Sequence, residues 1–165
     1  MSHGIIHDIT QYLTFTLSQE IFAIEIFRIK EVLEYKPLTK IPNTPEFMRG
    51  IINLRGNVVP VIDMRMKLGM SEVERTVNTC IIIVEVEARA GMAIFGAIVD
   101  SVREVMDLEP NQVEPAPRIG TSLNTDFIRG MGKKGDQFII LLNTNNIFST
   151  DDMDQLSSAG AMMAA

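Results

Sequence analysis

FMRGIINLRGNVVPVIDMR, residues 47–65, is the stretch on which the reading of this chain rests. Two short apolar runs, 51–54 and 58–62, flank Arg55-Gly56-Asn57. A tight turn between two apolar runs, with a glycine free to take a positive φ, is a β-hairpin signal. Arg55 is the charged residue in the middle of the stretch and stands where the hairpin bends. Pro60, in the return run, has no amide to give to a ladder, which predicts an edge or a bulge at that position.

Strand periodicity continues on both sides. Before the hairpin, Tyr12, Thr14 and Thr16 alternate with Leu13, Phe15 and Leu17, the period of a half-buried strand. Residues 18–20 turn the chain and 21–26 return it. A short turn and a strand over 29–34 follow. Pro37, Pro42 and Pro45 keep the next connection irregular, and Thr44-Pro45-Glu46 reads as one helical turn with Thr44 as its N-cap. After the hairpin, 64–68 reads as a helical turn stopped by Gly69. Strands are expected over 78–86, 92–99 and 102–106, with a proline loop over 110–117. A second hairpin is expected from 127–133 and 137–142 across Lys134-Gly135-Asp136. Ser149 with Asp152 resembles a capping box that opens a short C-terminal helix.

The two halves resemble each other. FAIEIFRIKEVL (22–33) lies over FGAIVDSVREVM (95–106), with Phe22 on Phe95 and Glu31 on Glu104. Glu46-Phe47-Met48-Arg49-Gly50 lies over Asp126-Phe127-Ile128-Arg129-Gly130, and Asp63 over Asn143. Charged and glycine positions agreeing in one order point to an internal duplication. Each half then holds about five short strands, which suits a small closed barrel without free edges. The expected organisation is a single all-β domain with short helices over 10–155. It is made of two packed barrel subdomains, roughly 20–78 and 79–145, with end strands exchanged, and the termini 1–9 and 156–165 are flexible.

Composition removes several function classes. The chain has 165 residues, 46% of them hydrophobic, and a net charge of −6. That balance disfavours nucleic acid or an anionic membrane as the main partner. No apolar run approaches the roughly 20 residues of a membrane span, and the N-terminus lacks the pattern of a signal peptide, so a cytoplasmic location is the expectation. Cys80 lies in the apolar run TCIIIV and reads as a core residue; His3 and His7, in the leader, have no companion ligands. Neither a metal nor a cofactor is expected. Gly130-Met131-Gly132-Lys133-Lys134-Gly135 fits G-x-G-x-x-G, but a dinucleotide loop needs a helix after the glycines, and here a strand, 137–142, follows. A nucleotide-binding protein or enzyme using this loop is the alternative of another class. Asp63 and Asp100 end apolar strands and read as caps or turn residues. Glu31 and Glu104 read as an ion pair or a solvated face.

Three segments carry a resemblance to a known family. They are IPNTP (41–45), RGIINLRG (49–56) and VPVIDMR (59–65), supported by GAIVD (96–100) and PAP (115–117). In this order they resemble the CheW family of bacterial chemotaxis coupling proteins, over about residues 10–155. The resemblance implies two intertwined five-stranded SH3-like barrels and a non-catalytic adaptor. That adaptor links the cytoplasmic tips of chemoreceptors to the regulatory domain of the chemotaxis histidine kinase, and is recruited to membrane arrays only through these partners. It also implies that Ile29, Glu31, Gly50 and Arg55 serve receptor docking and that Val102 and Val105 serve kinase docking. A regulatory or adaptor domain cut from a larger chemotaxis protein is the second reading. The chain's ending at Ala165 points to the stand-alone form. The second hairpin carries Lys134-Gly135 where the first carries its arginine, which favours Arg55 for docking; an internal salt bridge that holds the hairpin or the two barrels is the other reading of this residue, and the two are compatible.

Overall fold

The computed structural model describes residues 9–88, 91–115 and 125–148. The leader, the Ser149 capping box and the C-terminal tail lie outside them. The chain begins with β1 (Thr10–Leu17), β2 (Glu20–Glu25), a 3-10 turn (Ile26–Arg28) and β3 (Ile29–Glu34). The central hairpin is β4 (Met48–Leu54) and β5 (Asn57–Asp63), followed by the short helix α1 (Met64–Lys67). Next come β6 (Cys80–Ala88), β7 (Gly91–Val99), β8 (Ser101–Leu108), a 3-10 turn (Pro110–Gln112) and the two-residue β9 (Val113–Glu114). A 3-10 turn (Thr125–Phe127), β10 (Ile128–Lys134), β11 (Gln137–Leu142) and α2 (Thr144–Phe148) complete the described chain.

Two sheets form, in the orders β3-β6-β7-β5-β4 and β8-β1-β2-β11-β10-β9. Replacing each strand by its repeat partner turns the first order into the first five strands of the second. The duplication therefore holds in three dimensions, but the halves are interleaved: β6 and β7 enter the sheet of the first half, and β1 and β2 that of the second. Register repeats as well. The parallel pair Val61 with Gly96 has its image in Leu141 with Ala23. The hairpin bulge between Met48 and Gly50 recurs between Ile128 and Gly130. Each sheet rolls up and closes on the segment that leaves its first strand. Thr39 bridges Ile51 in one barrel, and Glu114 pairs with Met131 in the other. These two barrels are those the repeat predicts, and their SH3-like type is the one the family resemblance implies.

The core is divided accordingly. Ile52, Leu54, Val59, Val61, Ile81 and Ile83 fill the first barrel, and Tyr12, Ile21, Ala23, Leu108, Ile139 and Leu141 the second. A larger cluster lies between them and includes Phe15, Phe22, Met48, Ile62, Val84, Phe95, Val99, Leu142 and Phe148. The repeat-related Phe22 and Phe95 each stack on another ring there, on Phe15 at 6.0 Å and on Phe148 at 5.2 Å. Small barrels bury little apolar surface alone, so this shared layer is what makes them one body. Lys67 sits on the same pseudo-symmetry, its ammonium 4.4 Å from the ring of Phe47 and 5.4 Å from that of Phe127.

Local expectations fared unevenly. Arg55-Gly56 forms the turn with φ of 52° and 89°, the double positive φ of a type I′ hairpin. Asp63 caps α1, its carboxylate accepting from the amides of Arg65 and Met66. Thr44 does not cap a helix: its hydroxyl donates to the Ile41 carbonyl, and residues 45–48 form a turn closed by the bond from Met48 N to Pro45 O. Pro60 lies in an interior strand, not an edge strand. Its position alone is an edge, because β5 meets β7 only from Val61 onward. The sequence reading missed α2, which Asn143 caps by accepting from Asn146 N at 3.1 Å; Asn143 is the repeat image of Asp63.

Candidate docking surfaces

Glu31 and Arg55 come together. Glu31 stands on β3, at one end of the first sheet, and Arg55 on the turn after β4, at the other end. The guanidinium grips the carboxylate with both terminal nitrogens: Nη1 reaches Oε1 at 3.4 Å, and Nη2 is ion-paired with Oε2. The pair thus spans the gap across which the barrel closes. Glu31 is held below the usual carboxylate range, chiefly by the hydrogen bond from Arg55; burial opposes this, and the charges of Arg55, Lys36 and Lys30 add to the lowering. Arg55 in turn is pushed above its ordinary value by Glu31. The arginine side chain is 69% exposed and that of Glu31 27%, so the pair presents its cationic end to solvent.

The second barrel has a counterpart. Lys134, beside the repeat image of Arg55, reaches from the β10–β11 turn to the carbonyl of Asp107 on β8 at 3.3 Å. Both copies therefore carry a cation over the same gap, and the absence of a second arginine does not set Arg55 apart from architecture. What differs is the backbone: Arg55 holds a left-handed φ at the place where the second hairpin has Gly135, with φ 61°.

The other candidate residues separate into surface and scaffold. Ile29, opposite Val84 on β3, is half-buried and packs against the shared core. Val102, its repeat image, does the same opposite Phe15 on β8. Val105 is 49% exposed, and its image Val32, which the sequence reading passed over, is 41% exposed. The match of 22–33 with 95–106 was the signal that could have paired them. Gly50 is buried, with φ 150°; a Cβ there would stand 2.6 Å from the carbonyl oxygen of Thr39 and 2.8 Å from the Cβ of Leu38. Its position is set by the close passage of the chain that closes the barrel, and it offers no side chain to a partner.

Elsewhere the polar groups are largely paired among themselves. A cavity of about 200 Å³ beside α1 is lined by Arg49, Asp63, Arg65, Glu72 and Asp100 among others. There Arg49 pairs with Glu72 and Arg65 with Asp100. Burial pushes Asp63 above its usual value, while the amides of Met66 and Arg65 and the charges of Arg49 and Arg65 pull it down. The glycine-rich stretch 130–135 is β10 and its turn, followed by β11 and not by a helix. Among the described residues no group of three or more His, Cys, Asp or Glu could hold a metal ion, and no helix is long and apolar enough to cross a membrane.

The family model described as the CheW-like domain matches residues 11–152. The chain belongs to the CheW-like family. It is 35% identical over 143 residues to the chemotaxis protein CheW of Klebsiella aerogenes, covering 87% of this chain and 84% of that protein. It is 28% identical to CheW of Rhizobium meliloti, covering 87% and 90%. The crystal structure of the scaffolding protein TtCheW from Thermoanaerobacter tengcongensis superposes with a TM-score of 0.78 at 36% identity, covering 90% of this chain and 93% of that one. CheW-like proteins are non-catalytic scaffolds, so the sites to look for here are surfaces for other proteins.

Proposed function

We propose that this CheW-like chain is an adaptor that couples the cytoplasmic tips of chemoreceptors to the regulatory domain of the chemotaxis histidine kinase. The observation that carries this reading is the exposed Arg55–Glu31 pair, built on a residue whose backbone would favour glycine. An arginine kept in a left-handed turn against its steric preference, with its guanidinium towards solvent, suits a partner that offers carboxylates or helix-end carbonyls. Half-buried Ile29, two positions from Glu31, supplies apolar surface beside it, so an amphipathic helix could lay its apolar stripe there. Gly50 supports that site from within.

The kinase's regulatory domain is assigned to β8, through Val102 and exposed Val105. In this reading the protein reaches membrane arrays through its partners. Co-sedimentation with receptor-containing membranes and kinase tests it. Wild type should enter the pellet and raise kinase activity, and Arg55→Glu should stay in the supernatant while keeping its circular dichroism spectrum. A wild-type chain that leaves both sedimentation and kinase activity unchanged would end the adaptor reading.

A further inference from the structure

Within the described residues the chain passes from one barrel to the other twice, at the 3-10 turn between β2 and β3 and at Asp100 between β7 and β8. The repeat makes these crossings equivalent, with Phe27 in the place of Asp100. They are built very differently. Asp100 Oδ2 accepts from Arg65 Nη1 at 2.6 Å and from the amide of Ser18 at 2.6 Å. Its own amide donates to Thr16 O at 3.1 Å, and the next hydroxyl, that of Ser101, lies 2.6 Å from Thr16 Oγ1. Arg65, with a side chain only 9% exposed, also donates its Nε to Ser71 O at 2.8 Å. One carboxylate oxygen therefore ties α1 of the first barrel to the β1–β2 turn of the second. At the other crossing Phe27 is 65% exposed, and its ring meets the guanidinium of Arg28 at 4.7 Å.

Two features make the Asp100 joint more than a surface contact. The side chain of Arg65 is almost wholly buried, so removing its carboxylate partner leaves an uncompensated guanidinium in the interior. Ser18, whose amide completes the joint, is the first residue of the two-residue β1–β2 turn and holds the positive φ, 60°, that such a hairpin turn requires, so the joint is anchored in a tight turn. The shared apolar layer fixes how the barrels lie against each other. What the joint adds is local: it pins the residue from which β8 starts, one position before Ser101 and two before Val102.

We propose that Arg65 and Asp100 are a positioning pair that fixes the start of β8 and so sets how Val102 and Val105 are presented to a docking protein. The proposal rests on the assignment of β8 as the kinase-facing strand. The pair touches no partner itself; it acts through the strand that follows. The ion pairs around the start of β3, Lys30 with Glu85 and Glu25 with Arg129, each stay within one sheet and do not join the barrels, so the two docking strips should respond differently when the Arg65–Asp100 pair is broken.

The test uses the full chain and three variants. Asp100→Asn keeps an acceptor for the Ser18 amide and removes the charge. Arg65→Met keeps the length of the stem without the guanidinium, and Arg65→Lys keeps the cation. Amide hydrogen exchange is read at residues 101–103 and, as the internal control, at 29–31. Binding is read with the isolated regulatory domain of the kinase and, separately, with receptor-containing membranes. Asp100→Asn and Arg65→Met should speed exchange at 101–103 about tenfold relative to 29–31 and weaken kinase-domain binding about tenfold. Receptor co-sedimentation should be unchanged, and Arg65→Lys should recover most of both losses. Unchanged exchange at 101–103 would overturn the proposal. So would an equal rise at both crossings, or an equal loss of both partners, because either means general destabilisation. If wild type fails to bind the kinase domain, the assignment of β8 falls with the docking part of the proposal, and the exchange measurements alone then decide whether the pair fixes the strand.

Discussion

Arg55 and Glu31, 24 residues apart in sequence, form an ion pair that joins the two ends of one rolled sheet. Because Arg55 holds a φ of 52° where the second hairpin has a glycine, its contributions to fold and to docking can be separated. Arg55→Gly removes the guanidinium and relieves the left-handed strain at the same time. Its thermal midpoint should equal or exceed that of wild type, while receptor co-sedimentation is lost. A lower midpoint would mean that the ion pair holds the barrel together.

The same pair has a titration signature. Glu31 has its pKa depressed in the folded chain, mainly by the hydrogen bond from Arg55. The stabilisation linked to it is therefore complete above the ordinary carboxylate range and is lost only as pH falls below that range through the folded value. Carboxyl carbon NMR should find Glu31 titrating below an ordinary glutamate in wild type and returning to the ordinary value in Arg55→Gly. An unchanged midpoint in the variant would show that the contact is not formed in solution.

Asp63 has the opposite sign. Burial raises its folded pKa, so the folded chain takes up its proton before the unfolded chain does, and this group's contribution to stability grows as pH falls through the raised value towards the ordinary one. Asn143 performs the same capping role in the second copy without a charge. Asp63→Asn should accordingly keep the cap and abolish that acid-side gain, whereas Asp63→Ala should lose ~1 kcal/mol at neutral pH through the missing cap. Urea unfolding of both variants at neutral and mildly acid pH checks the sign and the size.

How much of this was legible in the sequence depended on the kind of signal. The hairpin, the barrels and the repeat were readable because alternation and the turn residues Arg55-Gly56 and Gly135 are local. The interleaving was only an expectation, since which half's hairpin enters which sheet depends on long-range pairing such as Val61 with Gly96. Glu31 and Arg55 could be singled out, but not joined, because their contact depends on how the sheet closes. Thr44 misled because a hydroxyl ahead of Pro45-Glu46 looks like an N-cap, and the chain uses it as a donor to Ile41 O instead. The Arg65–Asp100 joint was invisible for the same long-range reason.

Gly50 and Gly56 should respond differently to a methyl group. At Gly56 the space is open and only the φ of 89° opposes a side chain, so Gly56→Ala should destabilise by ~1–2 kcal/mol. At Gly50 the methyl would stand 2.6 Å from the Thr39 carbonyl oxygen, which is backbone and cannot turn aside. Gly50→Ala should be the more damaging by a wide margin, by roughly 3 kcal/mol or more, and any docking defect it shows should track the unfolded fraction. Thermal melts of the two variants in parallel decide this. Similar midpoints would mean that the closing segment can move away and that Gly50 is not fixed by the fold.

Val105 and Val32 provide the sharpest test of the two proposed docking strips. They are repeat images, 49% and 41% exposed on β8 and β3, and each faces its neighbouring strand through backbone pairing, with Leu13 and Ile82 respectively. A glutamate at either place keeps the ladder and loses some β-propensity, so the stability change should stay within ~1 kcal/mol. A charge placed in the apolar centre of a protein interface is far more costly, commonly ~2 kcal/mol or more. Val105→Glu should therefore abolish binding of the kinase's regulatory domain and leave receptor co-sedimentation intact. Val32→Glu should affect the partner of the β3 strip alone. If both variants weaken both partners equally, the two strips are not independent sites, and the assignment of one partner to each barrel is wrong.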